Sequence, residues 1–229
     1  MQILFDIGAV VNGYILGSIP FGLLIVKLKT GKDIRNVESG RTGGTNVVRA
    51  AGLGAGLLTA ILDILKGAAA VWIAQTISPE NHFIHVLAPL AAILGHNNSI
   101  FLAERDENGT LRLRGGAGGA PALGGAMGLW LPMFPIVVAV GGIVWLTLGI
   151  ASVATMTVPL VVIIVFAIRA VLGQQEATDI WYGVIAEILL IWALRPNIQK
   201  LLAGNERVIK YSLNGWLRAR KNSAELKKQ

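Results

Sequence analysis

Repeated apolar runs, each about 20 residues long, constrain this chain more than any other feature. A bilayer core about 30 Å thick is crossed by about 20 helical residues, and each backbone polar group within it needs a partner inside the protein. Such runs fall at approximately 7–26, 52–77, 82–102, 117–132, 134–150, 152–171 and 180–194. The apolar stretch from Gly116 to Ile150 is too long for one span. It is divided at Leu131-Pro132-Met133-Phe134-Pro135, because proline removes a backbone donor and clashes within a helix. The chain therefore reads as an all-α polytopic membrane protein with about seven transmembrane helices. Hydrophobic residues make up 54% of it and charged residues 14%, which suits a lipid solvent rather than water. The first run follows six residues that form no basic leader, so it reads as a retained span.

The formal charge of +7 would point to nucleic acid in a soluble protein. Here the positions of the cations give another meaning, and no nucleic-acid partner is expected. Six lysines and arginines lie in 27–49, three in 105–114 and nine from Arg195 onward, so eighteen of twenty fall on one side of a seven-span path. The loops 78–81 and 172–179 hold none. The positive-inside rule then puts the N-terminus outside and the C-terminus in the cytoplasm. The organisation expected is one transmembrane domain over 1–205 with cytoplasmic loops at 27–51, 103–120 and 195–206, followed by a basic tail at 206–229. That tail reads either as an amphipathic helix on the inner surface, with Trp216 near the headgroups, or as a disordered basic end. The absence of cysteine excludes a disulfide framework, a thiolate metal site and a cysteine nucleophile. No internal repeat is evident, which weighs against a transporter of the inverted-repeat type.

Residues 31–52, GKDIRNVESGRTGGTNVVRAAG, combine glycines, hydroxyls, an amide and arginines in one loop. Backbone N–H groups, oriented side-chain donors and positive charge are what phosphate oxygens require. A helix starting near Thr45-Asn46 would add its N-terminal dipole end. The same composition also suits an ordinary cytoplasmic loop. Asp63 and Lys66, at i and i+3, share a helix face and can form an ion pair. Each ionisable group inside a membrane costs roughly 2.5–3.5 kcal/mol on insertion scales, so the pair is a functional candidate as well as a packing device. His96, followed by Asn97, Asn98 and Ser99, stands at the end of its span as a general base or a phosphate donor. His82 and His85 are placed at the outer interface. Glycines at 115 and 119, and at 124 and 128, have the spacing that lets membrane helices approach closely, while 115–120 also suits a phosphate-cradling turn.

Ser39-Gly40, Gly43, Thr45-Asn46 and Arg49, preceded by GSIPFG at 17–22, resemble the first motif of the bacterial acyl-phosphate:glycerol-3-phosphate acyltransferases. The resemblance continues through LDILKG at 62–67, GHNNS at 95–99, GGAGGA at 115–120, Ala151-Ser152 and NIQKLLAGNE at 197–206. It implies transfer of a fatty acyl group from acyl phosphate to the sn-1 hydroxyl of glycerol-3-phosphate, giving lysophosphatidic acid, with no metal or diffusible cofactor. It also implies a site facing the cytoplasm from the bacterial inner membrane, with membrane lipids around it. Glycerol-3-phosphate would be held by Ser39, Thr45, Asn46, Arg49 and Lys66, and acyl phosphate by Gly115, Gly116, Gly118 and Gly119. Arg195 and Asn197 would close the site, and His96, Asn97 and Arg49 would act in catalysis.

Three departures stand out. Family members carry a basic residue where Ala117 stands and threonine near Pro121, and Leu194 replaces a histidine before Arg195-Pro196-Asn197. The insertion 103–114 reads as a hairpin turning at Asn108-Gly109. These departures leave open a catalytically weakened paralogue, and a transporter or lipid-binding protein on the same scaffold remains the alternative from another class.

Overall fold

A computed structural model of the chain describes residues 1–209 and 211–226, with side chains up to Arg220. Within the expected tail 206–229, Lys210 and residues 227–229 lie outside the described residues. Helices dominate. The first apolar run forms α1 (Gln2–Ser18) and α2 (Phe21–Thr30), one path broken at Ile19-Pro20. Gly31, in the left-handed region at φ 71°, ends α2, and its N–H donates to the Lys27 carbonyl. A loop containing one 3-10 turn, Ile34–Asn36, leads to the short α3 (Gly44–Ala51). The bundle continues with α4 (Leu53–Ile77), α5 (His82–Asn97), α6 (Gly119–Leu129), α7 (Met133–Leu148), α8 (Ala151–Val171) and α9 (Thr178–Leu202). Last comes α10 (Leu213–Leu226).

These helices run alternately up and down, so the loops after α2, α5 and α7 and the end of α9 share one end, called here the motif end. At the other end, Asp6 accepts hydrogen bonds from Ser78 and Asn81, His82 contacts Asp179 at 2.8 Å, and Arg169 stacks on Trp130. Val86, Leu90 and Ile93 of α5 meet Ala122, Phe166, Tyr182 and Leu190 in the main apolar core.

Glycine makes much of the packing possible. Gly13 and Gly17 of α1 lie against the α5 backbone at Ala88 and Ala92, where an added Cβ would collide. Gly67 of α4 meets the Pro121 carbonyl, while Gly124 and Gly128 of α6 meet Ile64 and Val71 of α4. Lipid offers no hydrophobic drive for helix association, so such backbone contact and its dispersion energy take over that role.

Three stretches, 2–30, 53–77 and 151–171, are long and apolar enough to cross a membrane. The fourth expected span, 117–132, is corrected to α6, whose 11 residues reach only about 16 Å. Gly118 starts that helix late, in the left-handed region, and Trp130 leaves it in an extended conformation. The seventh, 180–194, instead begins at Thr178 and continues through Pro196 to Leu202. The insertion forms the expected hairpin: β1 (Ala103–Arg105) pairs antiparallel with β2 (Leu111–Leu113). Gly109, at φ 77°, turns it, and Asp106 accepts from the N–H groups of Asn108 and Thr110.

Candidate active site

The break between α1 and α2 sets up the centre of the motif end. Ile19 leaves the helix with ψ 116°, and its carbonyl, which accepts from Phe21 N–H at 3.1 Å, is turned out of the helical ladder. Lys66 reaches it. Its Nζ lies 3.1 Å from Ile19 O, 2.7 Å from Asp63 Oδ1 and 2.9 Å from His96 Nδ1. Two of these contacts are hydrogen bonds. The Asp63 contact is an ion pair by distance, although neither carboxylate oxygen receives a well-directed hydrogen bond. All three side chains are buried. His96 Nδ1 also lies 3.5 Å from Asp63 Oδ1, and Nε2 faces Gly116.

The glycine loop folds onto this centre. Gly116 N–H donates to His96 O at 2.8 Å, and a side chain at 116 would strike the His96 ring. A side chain at Gly115 would strike the His96 and Asn97 carbonyls. Gly118 takes φ 89° and lies against Asn97 Oδ1, a buried acceptor with no hydrogen-bond partner among the described residues, and Gly119 lies against Thr155. Gly115, Gly116 and Gly118 thus surround His96 and Asn97, while Gly119 faces α8. The two halves of the glycine run differ: 115–119 form a turn and helix start, and 124 and 128 pack against α4.

The first loop joins them. Thr42 N–H donates to Gly115 O at 3.3 Å. Asn46 is buried in α3, and its amide donates to Val37 O and Arg41 O, both at 2.9 Å, fixing the loop's shape. Ser39, Thr45 and Arg49 are exposed, and among the described residues Arg49 makes no hydrogen bond or ion pair. That leaves it free for an anion. The Arg35 guanidinium, 2.6 Å from Asp33, holds that carboxyl below its ordinary range and also reaches Glu104 of the hairpin at 3.6 Å. Glu104 in turn pairs with Arg114, next to the glycine loop.

The last candidates divide. Asn197 donates to Glu206 at 2.9 Å, and Ser152 Oγ donates to the same carboxylate at 3.2 Å, so Asn197 helps tie α8 and α9 at the motif end. Arg195 does not enter this centre. It is exposed and stacks on Trp192, one turn earlier, at 4.3 Å. Arg41 takes the place facing α9: its Nη2 donates to Ala193 O at 2.6 Å, burial lowers its pKa, and Glu206 opposes that shift. Sequence reasoning counted Arg41 only among the basic residues. The glycine motif beside it was the available signal.

Comparison with known proteins follows the same outline. The family model described as glycerol-3-phosphate acyltransferase matches residues 7–204. A glycerol-3-phosphate acyltransferase of Rubrobacter xylanophilus is 34% identical over 204 residues, 89% of this chain and 95% of that protein. Glycerol-3-phosphate acyltransferase 3 of Dehalococcoides mccartyi is 36% identical over 213 residues, 86% of this chain and 93% of its own. Among solved structures, the glycerol 3-phosphate form of PlsY (YgiH), an integral membrane glycerol 3-phosphate acyltransferase, superposes with a TM-score of 0.76 at 32% identity. It covers 89% of this chain and 95% of that one. The lysophosphatidic acid form gives 0.74 at 30% identity, over 90% and 96%. The motif loops that fold onto Lys66 and His96 lie inside the matched range, and by sequence and fold alike the chain belongs to the glycerol-3-phosphate acyltransferase family.

Proposed function

We propose that this membrane enzyme transfers a fatty acyl group from acyl phosphate to the sn-1 hydroxyl of glycerol-3-phosphate, in the phospholipid synthesis its family serves. The observation that carries this reading is that the glycine loop lies on His96, the partner of the buried Lys66, and that Thr42 of the first loop is bonded to that glycine loop. Arg49, Ser39 and Thr45, exposed around the ordered Asn46, hold the phosphate of glycerol-3-phosphate. The glycine loop Gly115–Gly119 presents backbone N–H groups and the start of α6 to acyl phosphate, and the acyl chain lies between helices.

The hydroxyl oxygen attacks the acyl carbonyl carbon, the carbon–oxygen bond to phosphate breaks with its electron pair on phosphate, and the hydroxyl proton passes to that departing phosphate. Phosphate leaves a mixed anhydride readily. The protein's work is therefore positioning two anions and stabilising charge on the carbonyl oxygen. Lys66 and His96, which touch the glycine loop and the helix break together, fix that geometry. Asn97, against Gly118, orients the loop, and Asn197 anchors α9 through Glu206. Arg195 closes the site only by leaving Trp192.

Seven spans with the N-terminus outside, a domain over 1–205 and a motif end facing the cytoplasm complete the reading, which the cation distribution supports. Purified protein in detergent is given acyl phosphate and glycerol-3-phosphate. Lysophosphatidic acid and phosphate are the expected products, and transfer from acyl thioesters alone would overturn the donor. Reporter fusions after Gln229 and within 172–179 should read cytoplasmic and outside, and the opposite pair would overturn the orientation.

A further inference from the structure

The family match ends at residue 204, yet the chain continues into α10. The root of that helix is fixed firmly. Ile209 N–H donates to Gly149 O at 2.9 Å, Val208 forms an isolated antiparallel bridge with Ile150, and Asn214 Nδ2 donates to Leu148 O at 3.0 Å. Ser212 is buried over Gly149, whose φ of 68° and close neighbours leave no room for a Cβ. Leu148 is the last residue of α7, a helix whose Ile143 and Leu146 are 63% and 58% exposed, as residues facing lipid would be. So α10 departs from the level where an apolar helix ends, which in a membrane is the headgroup layer.

The helix is built for that layer. Leu213, Trp216 and Leu217 fall on one face at i, i+3 and i+4, and are 55%, 50% and 51% exposed. Arg220, one further turn along the same face, stacks over Trp216 at 4.5 Å, and Arg218 projects from another side. From residue 206 onward the sequence holds seven lysines and arginines against two glutamates. We infer that α10 docks on an anionic phospholipid surface, with Leu213, Trp216 and Leu217 in the boundary of headgroups and acyl chains and the arginines on headgroup phosphates. A protein partner would have to cover the apolar face and neutralise this charge together. An anionic membrane, already at that level, does both.

Because the chain lacks cysteine, a single introduced cysteine can be labelled without background. Leu217→Cys and, separately, Arg218→Cys are spin-labelled in the full chain and reconstituted in phosphatidylcholine vesicles with and without phosphatidylglycerol. Acyl transfer in the same vesicles reports the folded protein. With phosphatidylglycerol, the label at 217 should become accessible to oxygen and protected from a water-soluble nickel complex, while the label at 218 stays in water. High salt should reverse the change. Arg218→Gln and Arg220→Gln, added to Leu217→Cys, should each weaken docking about fivefold. Equal accessibility at 217 in both vesicle types would overturn the proposal. So would protection from both reagents, which would mean that a second copy or the bundle itself covers the face.

Discussion

Lys66 Nζ lies 2.9 Å from His96 Nδ1, although the two residues stand on different helices, 30 positions apart. The same ammonium compensates Asp63, so its removal has two consequences. Lys66→Met should abolish turnover, and it should also lower stability by roughly 3–5 kcal/mol, because a buried carboxylate loses its cation. Adding Asp63→Asn should restore most of the stability without restoring turnover. Thermal unfolding in detergent and acyl-transfer rates for the single and double variants separate the two effects. Full activity in Lys66→Met would remove this lysine from the site.

Gly116→Ala places a methyl group where the His96 ring now sits. A displacement of about 1 Å at a reacting centre can cost about 10²-fold in rate, and a fall of that order is expected. Gly54→Ala is the control, since nothing lies within 4 Å of a Cβ there. It should leave turnover unchanged and strengthen α4 slightly, as alanine outranks glycine in helices.

Ala117 is the half-buried residue between Gly116 and Gly118. Charge-assisted hydrogen bonds contribute roughly 1.5–3 kcal/mol, so Ala117→Lys should tighten apparent acyl-phosphate affinity by about tenfold or more. Affinity for glycerol-3-phosphate should change less. Unchanged acyl-phosphate affinity with lowered stability would mean that the loop only packs helices.

Asp106 holds the hairpin turn by accepting from Thr110 and Asn108 and by pairing with Arg112 at 3.0 Å. These contacts, led by the Thr110 N–H, keep its carboxyl below the ordinary value of 3.8. Its contribution to the turn is therefore complete above that value and lost as pH falls through the lower folded one. Protection factors of the Asn108 and Thr110 amides, which remove the intrinsic pH dependence of exchange, should be high above about pH 5 and fall in acid, and Asp106→Asn should remove most of that change. An unchanged acid response in Asp106→Asn would assign it to another carboxylate.

Where an apolar run ended at a plain loop, its limits were legible: 52–77 became α4 at 53–77, and 152–171 became α8 at 151–171. The Gly116–Ile150 stretch was harder. Hydropathy there measures burial in lipid or protein alike, and α6, wrapped by α4, α5 and α9, is as apolar as a span without being long enough for one. The Asp63–Lys66 pair followed from spacing, because both partners share a helix. Their approach to His96 and Ile19 did not, since it depends on how three segments pack. Arg195 shows the converse. Its charge and position were visible, but the competing face of Trp192, three residues earlier, decides its direction. Gly13 and Gly17 had the same four-residue spacing as Gly124 and Gly128, and only the crowding at Ala88 and Ala92 shows what it serves.

The ion pair within α4 also bears on how the chain enters the bilayer during synthesis. Asp63 and Lys66 are one helical turn apart, so they can neutralise each other as soon as that turn forms, before α5 has left the ribosome. The nascent helix then partitions into lipid carrying a dipole rather than two bare charges. His96 and the Ile19 carbonyl are met only when the neighbouring helices close around it. Moving the aspartate onto another helix could preserve the folded contact and still leave an uncompensated lysine to cross the translocon.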